Sequence, residues 1–289
     1  MKKKTVDVWL FSGPALIVYV SVVILPVVWS MGFSFFDWNG IRKMEFVGIG
    51  NYIRMFNDVI FRAALLNNLY FMAIGTIYQV LSGLIMATIL SSINWGSNTM
   101  RVLYFMPCII SSVAICKVFD KILSVQPVGI IAAFAGLLGL EQVAFLSEPK
   151  WALLVVTLID AYKFCGIYMV IFYSAFMALP SDVEEAAYID GCSWFQQYFF
   201  VKLPMIRNIF MVIIVMLVNG TLKGFDVSYI LTYGGPGNAS ELMATYMYKT
   251  AFNATRFGYG SAMAVFIFFI SMAAVGLTRL LQIKLIRSE

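Results

Sequence analysis

Long apolar runs constrain this chain more than any other feature of its sequence. A helix needs roughly 20 apolar residues to cross a bilayer core of about 30 Å, and within the hydrocarbon it satisfies its own backbone polar groups. The first run extends to about Met31, and five others lie at about 63–90, 101–118, 151–179, 206–221 and 260–282. We therefore predict an all-α integral membrane protein with six transmembrane helices.

Composition agrees with a chain that lies mostly in lipid. The 289 residues are 61% hydrophobic and only 12% charged, whereas soluble domains carry roughly a quarter charged residues. We divide the chain into residues 1–62, which hold the N-terminal tail, the first span and an outer loop, and residues 63–289, a core of five spans. A shorter apolar run at 128–140 is predicted to be an interfacial or re-entrant helix.

Several classes of chemistry find no support in the sequence. Histidine is absent, which removes the usual zinc sites, Ser-His-Asp triads and His-based proton relays. The four cysteines show no CxxC spacing and are interpreted as small packing residues. We expect no bound metal, no cofactor and no enzymatic activity in this chain.

The charges at the two ends predict the orientation. Three lysines precede the first span, and Lys284 and Arg287 follow the last. Short basic flanks favour the cytoplasmic side, and the first helix has the greatest weight. We therefore expect both termini in the cytoplasm of a bacterial cell with this multi-pass protein in its cytoplasmic membrane, and no contact with nucleic acid.

The longest inward connection, residues 180–207, differs in character from the rest of the chain. Pro180 ends the fourth span, and the SDVEE segment after it has the acidic first turn that favours a helix start. Gly191 permits a sharp turn, and a second short helix is expected to stop near Pro204. The segment is therefore predicted to be a helix–turn–helix elbow with small residues on its surface.

These residues resemble the EAA motif of binding-protein-dependent ABC importer permeases. EEAAYIDG is followed by VKLP, with Cys192 and Val201 as small departures from the family pattern and Asn208 where a final Pro is common. The matching positions are Glu185, Ala186, Ala187, Asp190, Gly191, Leu203 and Pro204. The resemblance implies a MetI/MalF-like permease fold and gives these residues the role of an ATPase-coupling loop.

The resemblance also implies partners. The elbow would dock on a cytoplasmic ATPase that binds ATP and Mg, and this chain contains no G-x-x-x-x-G-K-[ST] of its own. Two ATPase subunits, a second homologous permease in a heterodimer, and an extracytoplasmic solute-binding protein are expected. The coupling loop would pass the ATPase movement to the pore.

A second resemblance narrows the solute class. Residues 222–252 and the FVGIGNYIRMF segment are similar to the outer loops of carbohydrate-uptake permeases, in particular to short, six-span, MalF-like members. The resemblance implies a sugar or oligosaccharide as solute. It also implies that Gly234, Gly235 and Pro236, which form a turn, belong to the docking site for the binding protein.

Polar side chains within the predicted spans are candidates for the solute path, because they are costly against lipid and should face the bundle or a cavity. Asp160 and Lys163 have the i,i+3 spacing of a pair on one helix face, and the pair is either structural or in contact with solute. The predicted path residues are Asn67, Tyr78, Gln79, Asp160, Tyr162, Lys163 and Asn219.

Two other functions compete with the ABC permease. An ion-coupled secondary transporter would use a buried carboxylate such as Asp160, but such proteins often show internal repeats, and none is evident here. A membrane enzyme would need a nucleophile, a base and an oxyanion site, and the sequence assembles no such set.

Overall fold

The computed structural model describes residues 2–93 and 95–287, with side chains for 11–93 and 95–280. The basic residues at both ends lie outside the described side chains. The helices are α1 (Lys2–Tyr19), α2 (Leu25–Phe33), α3 (Gly50–Asn57), α4 (Val59–Ser92), α5 (Ser97–Ile109), α6 (Ser112–Leu123), α7 (Ile130–Leu137), α8 (Pro149–Met177), α9 (Ser181–Ile189), α10 (Trp194–Gln196), α11 (Leu203–Met205), α12 (Arg207–Leu222), α13 (Asp226–Leu231), α14 (Met243–Tyr248) and α15 (Phe257–Arg287).

Three π-helical segments and one short hairpin complete the described elements. The π segments are Val20–Ile24, Gln197–Lys202 and Lys249–Asn253, and the hairpin pairs β1 (Phe36–Asp37) with β2 (Glu45–Phe46) in antiparallel register. The predicted all-α architecture is confirmed. In the described part of the chain five helical stretches are long and apolar enough to cross a membrane, or six if one bent pair counts as a span.

The bent pair corrects the prediction of a straight third span at 101–118. Helices α5 and α6 meet at 97°, because Ile110 and Ser111 adopt extended backbone angles between them. Pro107 lies one turn before the bend and has no N–H to donate to the helix. The apolar run is therefore continuous in sequence but broken in space.

The chain divides into two compact units, and the first comprises Met1–Arg62 and Tyr246–Phe269. Its hairpin is held by Asn51, whose amide donates to the carbonyls of Ser34 and Phe36 at 2.9 Å each. Gly258 packs against the same strand so closely that a Cβ there would lie 1.9 Å from the Phe36 oxygen. Glycine is therefore required where α15 begins.

The second unit, Ala63–Thr245 with Ile270–Glu289, contains the elbow and most of the spans. Its core includes Met169 and Phe172 of α8, Leu90 of α4, and Ile213 and Leu217 of α12, all 1% exposed or less. Three long helices thus bury one face each against the others. This packing fixes the relative positions of the polar residues they carry.

One close helix contact explains a glycine that the sequence analysis left unassigned. Helices α5 and α8 pack together, and a Cβ on Gly166 would lie 2.6 Å from the carbonyl oxygen of Tyr104. Small residues permit this kind of approach between membrane helices. Gly166 therefore fixes α5 against α8 immediately before the bend.

Candidate coupling loop and solute cavity

The first half of the elbow is helix α9, which begins directly after Pro180 as the sequence predicts. Asp182 and Glu184 lie in its first turn, where negative charge interacts favourably with the helix dipole. Its N-cap is Pro180, and no side chain caps the helix. The acidic residues therefore favour the helix start through their charge.

A tight turn separates the two halves of the elbow. Gly191 adopts a φ of +77°, and no atom lies within 4 Å of the position that its Cβ would occupy. Ser193 then starts α10 with a capping box, in which the Gln196 side chain accepts from the Ser193 N–H at 2.8 Å. The turn therefore depends on the left-handed backbone of Gly191, which faces open space.

The second half of the elbow runs through a π segment into α11 and then α12. Pro204 lies in α11, and its missing N–H cannot donate to the Phe200 carbonyl in α-helical register. Leu203 precedes it and is half-buried. The helical path breaks at Ile206, whose φ is −92° and ψ is 9°, two residues beyond the predicted stop.

An ion pair joins the two halves. The Lys202 ammonium lies 2.8 Å from a carboxylate oxygen of Glu184, and the two side chains are 24% and 43% exposed. It links α9 to the end of the π segment. Because it is partly solvated, it contributes at most about 1 kcal/mol to stability.

The predicted coupling residues fall on different sides of the elbow. Ala187 is buried, whereas Glu185, Ala186 and Asp190 are exposed. Two large apolar side chains that the sequence analysis did not select, Tyr188 and Ile189, are 78% and 82% exposed. The elbow therefore presents a mixed acidic and apolar surface of the kind that a protein partner covers.

The turn at Gly234, Gly235 and Pro236 lies over a buried carboxylate. Glu241 is 0% exposed, and a Cβ on Gly234 would lie 2.2 Å from one of its oxygens. The Thr245 hydroxyl donates to the other carboxylate oxygen at 2.7 Å. The three predicted docking residues are thus held in one ordered loop.

Asn67, predicted to lie on the solute path, holds this loop. Its amide donates to the carbonyls of Asn238, Ala239 and Glu241 at 3.0 to 3.3 Å, and Asn67 is absent from the lining of the cavity described next. The neighbouring Asn68 accepts from the Met243 N–H at 3.0 Å. Both asparagines therefore fasten α4 to the loop.

A cavity of about 340 Å³ lies among α4, α8, α12 and the start of α13. Two predicted residues, Gln79 and Asp160, line it, together with the aromatic side chains of Phe164, Tyr168 and Phe225. Small-molecule sites commonly occupy about 300–1,000 Å³ and combine apolar walls with a few polar groups. This cavity has the composition of a small polar solute site.

The charged residues Lys223 and Asp226 also line the cavity, and neither was predicted from the sequence. They are exposed and follow directly after the fifth apolar run. Their signal in the sequence was the abrupt appearance of charge at the end of a span, in LKGFD.

Other predicted path residues lie elsewhere. Tyr78 and Tyr162 line a separate apolar pocket with Phe119 and Ile159. Asn219 does not appear in the lining of the polar cavity. The predicted path is therefore divided among different environments.

Lys163 makes a different contact from the one predicted. Its ammonium bonds the hydroxyl of Ser112, which in turn donates to Asp226 at 2.8 Å. Within the described residues the structure shows no ion pair between Lys163 and Asp160. Asp160 and Lys163 therefore form no direct ion pair, because Ser112, at the start of α6 beyond the bend, binds the lysine, although the Lys163 charge still acts on Asp160.

Comparisons with known proteins agree on one family. A family model described as "Binding-protein-dependent transport system inner membrane component" matches residues 79–287. The chain is 33% identical over 270 residues to the "Probable ABC transporter permease protein YurN" of Bacillus subtilis, with 92% of each chain covered. It is 28% identical to the "Probable starch degradation products transport system permease protein AmyD" of Thermoanaerobacterium thermosulfurigenes, covering 91% of this chain and 89% of that protein.

A solved structure shows the same fold. The chain superposes with a TM-score of 0.85 and 18% identity on a chain of a bacterial alginate ABC transporter, crystallised with an alginate pentasaccharide-bound periplasmic protein. The match covers 96% of this chain and 95% of that one. The family model spans most of the sequence and includes the elbow. The chain therefore belongs to the binding-protein-dependent transport system inner membrane components, and it is a multi-pass permease subunit of an ABC importer.

Proposed function

We propose that this permease subunit passes a sugar or oligosaccharide across the bacterial cytoplasmic membrane. An extracytoplasmic binding protein delivers the solute, and a separate cytoplasmic ATPase supplies the energy. The observation that carries the proposal is the structure of the elbow at 180–207. Its two halves are joined by the Glu184–Lys202 ion pair, yet large apolar side chains on its surface stay exposed.

The exposed elbow surface supports a role in coupling. Tyr188 and Ile189 project beside the exposed Glu185 and Ala186, and the Gly191 turn leaves open space next to them. A cleft on the ATPase can close around such a surface without meeting bulky side chains at the turn. Movement of the ATPase then displaces α9 and, through the π segment, α12.

The proposed assembly has two copies of the ATPase and a second homologous permease, with both termini of this chain in the cytoplasm. ATP and Mg are bound by the ATPase subunits. The binding protein docks on the opposite side, at the turn of Gly234, Gly235 and Pro236. Support comes from the ordered state of that loop, which Asn67 and the buried Glu241 maintain.

Sugar as the solute class has two kinds of support. The relative named above is a permease for starch degradation products, and the solved neighbour comes from an alginate transporter. In this chain, the cavity combines aromatic faces with an amide and a carboxylate, the groups that recognise a hydroxyl-bearing ring.

The test is uptake by the native complex, purified with its co-eluting subunits and reconstituted into vesicles. We expect sugar uptake that requires internal ATP and the external binding protein and that persists when ionophores collapse the ion gradients. Uptake that follows an ion gradient without ATP would instead support the ion-coupled transporter. Turnover of a solute by this chain alone would support the membrane enzyme.

A further inference from the structure

Two polar side chains in the cavity have unused hydrogen-bonding capacity. The Gln79 side chain is 2% exposed, and Asp160 is largely buried in the middle of α8. Both line the cavity, and among the described residues neither side chain makes a hydrogen bond to the protein. Because a buried amide and a buried charge are costly without partners, the pair points to an occupant that supplies them.

Lys163, one helical turn from Asp160, is the nearest cation on α8, but among the described residues it forms no direct ion pair with Asp160. Lys163 is turned to Ser112, and Ser112 donates to Asp226, so these three side chains form one connected group. Lys223, the other cation of the lining, is exposed, whereas Asp160 is not. The carboxylate of Asp160 therefore faces the cavity without a cation bound to it.

We propose that Asp160 is a specificity-determining residue that accepts hydrogen bonds from two neighbouring hydroxyls of a neutral sugar ring. This inference rests on the proposed sugar import and names the class of sugar. An ionised carboxylate has two acceptor oxygens and no donor, which matches a pair of hydroxyl donors. Gln79 satisfies a further hydroxyl from α4, and the ring's apolar face packs against Phe164 and Tyr168.

The same arrangement selects against acidic sugars. A uronate entering the cavity brings a negative charge toward Asp160, whereas Asp226 and Lys223 of the lining have opposite charges and are both exposed to water. Repulsion between like charges is strong where water is excluded. Lys223 cannot fully offset it, because a solvated ammonium at the exposed part of the lining is screened.

The experiment compares Asp160→Asn with the unaltered complex in vesicles supplied with the binding protein and ATP. The probes are glucose, galactose and maltose as neutral sugars, with glucuronate and galacturonate as acidic ones. For the best neutral probe we expect uptake efficiency to fall about 10- to 100-fold, because the free energy of hydrogen bonds to a charged group corresponds to a factor of this size. The preference for neutral over acidic probes should fall by a similar factor.

Asp120→Asn is the matched control, because it removes an exposed carboxylate that is not part of the cavity lining. Its uptake and its preference should stay within twofold of the unaltered complex. If Asp160→Asn behaves like this control while remaining assembled with the ATPase, the inference is overturned. If the unaltered complex imports no sugar or oligosaccharide with its binding protein and ATP, the proposed sugar function itself has failed.

A second measurement needs no variant and covers the case in which Asp160→Asn does not assemble. A hydrophobic carbodiimide labels accessible carboxyl groups within the membrane through the protonated form that exchanges with the carboxylate, and mass spectrometry of the unaltered complex reports labelling at Asp160. We expect the best neutral probe to slow this labelling at least threefold and glucuronate to leave it unchanged. Equal labelling with and without the neutral probe would overturn the inference.

Discussion

The hydroxyl oxygens of Thr88 and Tyr198 lie 2.7 Å apart inside the second unit, and each residue is 8% exposed. Thr88 belongs to the α4 span, and Tyr198 belongs to the π segment of the elbow. Burial raises the pKa of Tyr198, and the hydrogen bond with Thr88 acts in the opposite direction. The elbow is therefore fastened to a transmembrane helix by a hydrogen bond shielded from water.

The same helix carries Gln79 at the cavity, nine residues before Thr88, or about 14 Å along the helix axis. Asn67 and Asn68 lie on the same helix, on the N-terminal side of Gln79, where they hold the loop that contains Gly234 and Glu241. A displacement of the elbow is thus applied to the helix that forms one wall of the cavity. This arrangement gives the elbow a physical connection to the cavity.

We predict that breaking the Thr88–Tyr198 contact weakens coupling. Thr88→Val leaves a buried phenol hydroxyl without this partner, at a cost of about 1–3 kcal/mol, whereas Tyr198→Phe costs about 1 kcal/mol. The double variant should be more stable than the sum of the two losses predicts. Thermal unfolding in detergent measures the stabilities, and ATP consumed per sugar imported should rise in all three. If the stability loss of the double variant equalled the sum of the two single losses, the result would contradict the contact.

Substitutions at Gly191 separate backbone strain from partner docking. Gly191→Ala costs about 1–2 kcal/mol, because its φ of +77° suits glycine. Gly191→Trp adds no clash within this chain, since the space around the Cβ position is open. We therefore expect alanine to keep the ATPase bound and tryptophan to lose it in co-purification. Full transport and ATPase binding by Gly191→Trp would refute the coupling role of the elbow.

Two glycines of the loop that Asn67 holds form a matched pair. Both Gly234 and Gly237 have positive φ, at +77° and +55°, but only Gly234 lies against the buried Glu241 carboxylate. Gly234→Ala should therefore cost about 1–3 kcal/mol more than Gly237→Ala, from overpacking. We expect it to weaken binding-protein affinity at least tenfold, measured on the complex in nanodiscs. Equal affinities for the two variants would mean that the Glu241 contact does not shape the docking site.

The sequence predicts the elbow well because its signals are local. Pro180, the acidic first turn and Gly191 each act within a few residues, and the helix, the turn and the second helix follow in that order. The apolar runs are likewise local, and they predict α4, α8, α12 and α15 to within several residues. What these signals share is that no distant contact is needed to interpret them.

Distant contacts decide the features that the sequence did not predict. Lys163 lies at the correct spacing for Asp160, yet Ser112, 51 residues away, takes its ammonium. Asn67 reaches loop carbonyls more than 170 residues later in the chain. Hydropathy does not predict the bend between α5 and α6 either, because two residues with extended backbone change the direction of the chain while the run stays apolar.

We predict that Asp58 makes the stability of the first unit sensitive to acid. Asp58 precedes α4 and accepts from the hydroxyls of Tyr246 and Tyr259 at 2.7 Å each, and from the N–H of Ile60 at 2.9 Å. Burial alone would raise the pKa of Asp58, but these hydrogen bonds and one from the Phe61 N–H outweigh it and lower the pKa below 3.8.

A lowered pKa in the folded state means that the Asp58 carboxylate contributes stability above its ordinary pKa of 3.8, and that this stability is lost as the pH falls through the folded value. Asp58→Asn should therefore lower the melting temperature in detergent at pH 7. Below pH 4 the difference in melting temperature between this variant and the unaltered protein should become smaller. Asn57→Ala, an exposed neighbour, is the control and should shift the curve little at either pH. A deficit in Asp58→Asn that stays constant from pH 7 to pH 3 would show that the charge of this carboxylate does not stabilise the unit.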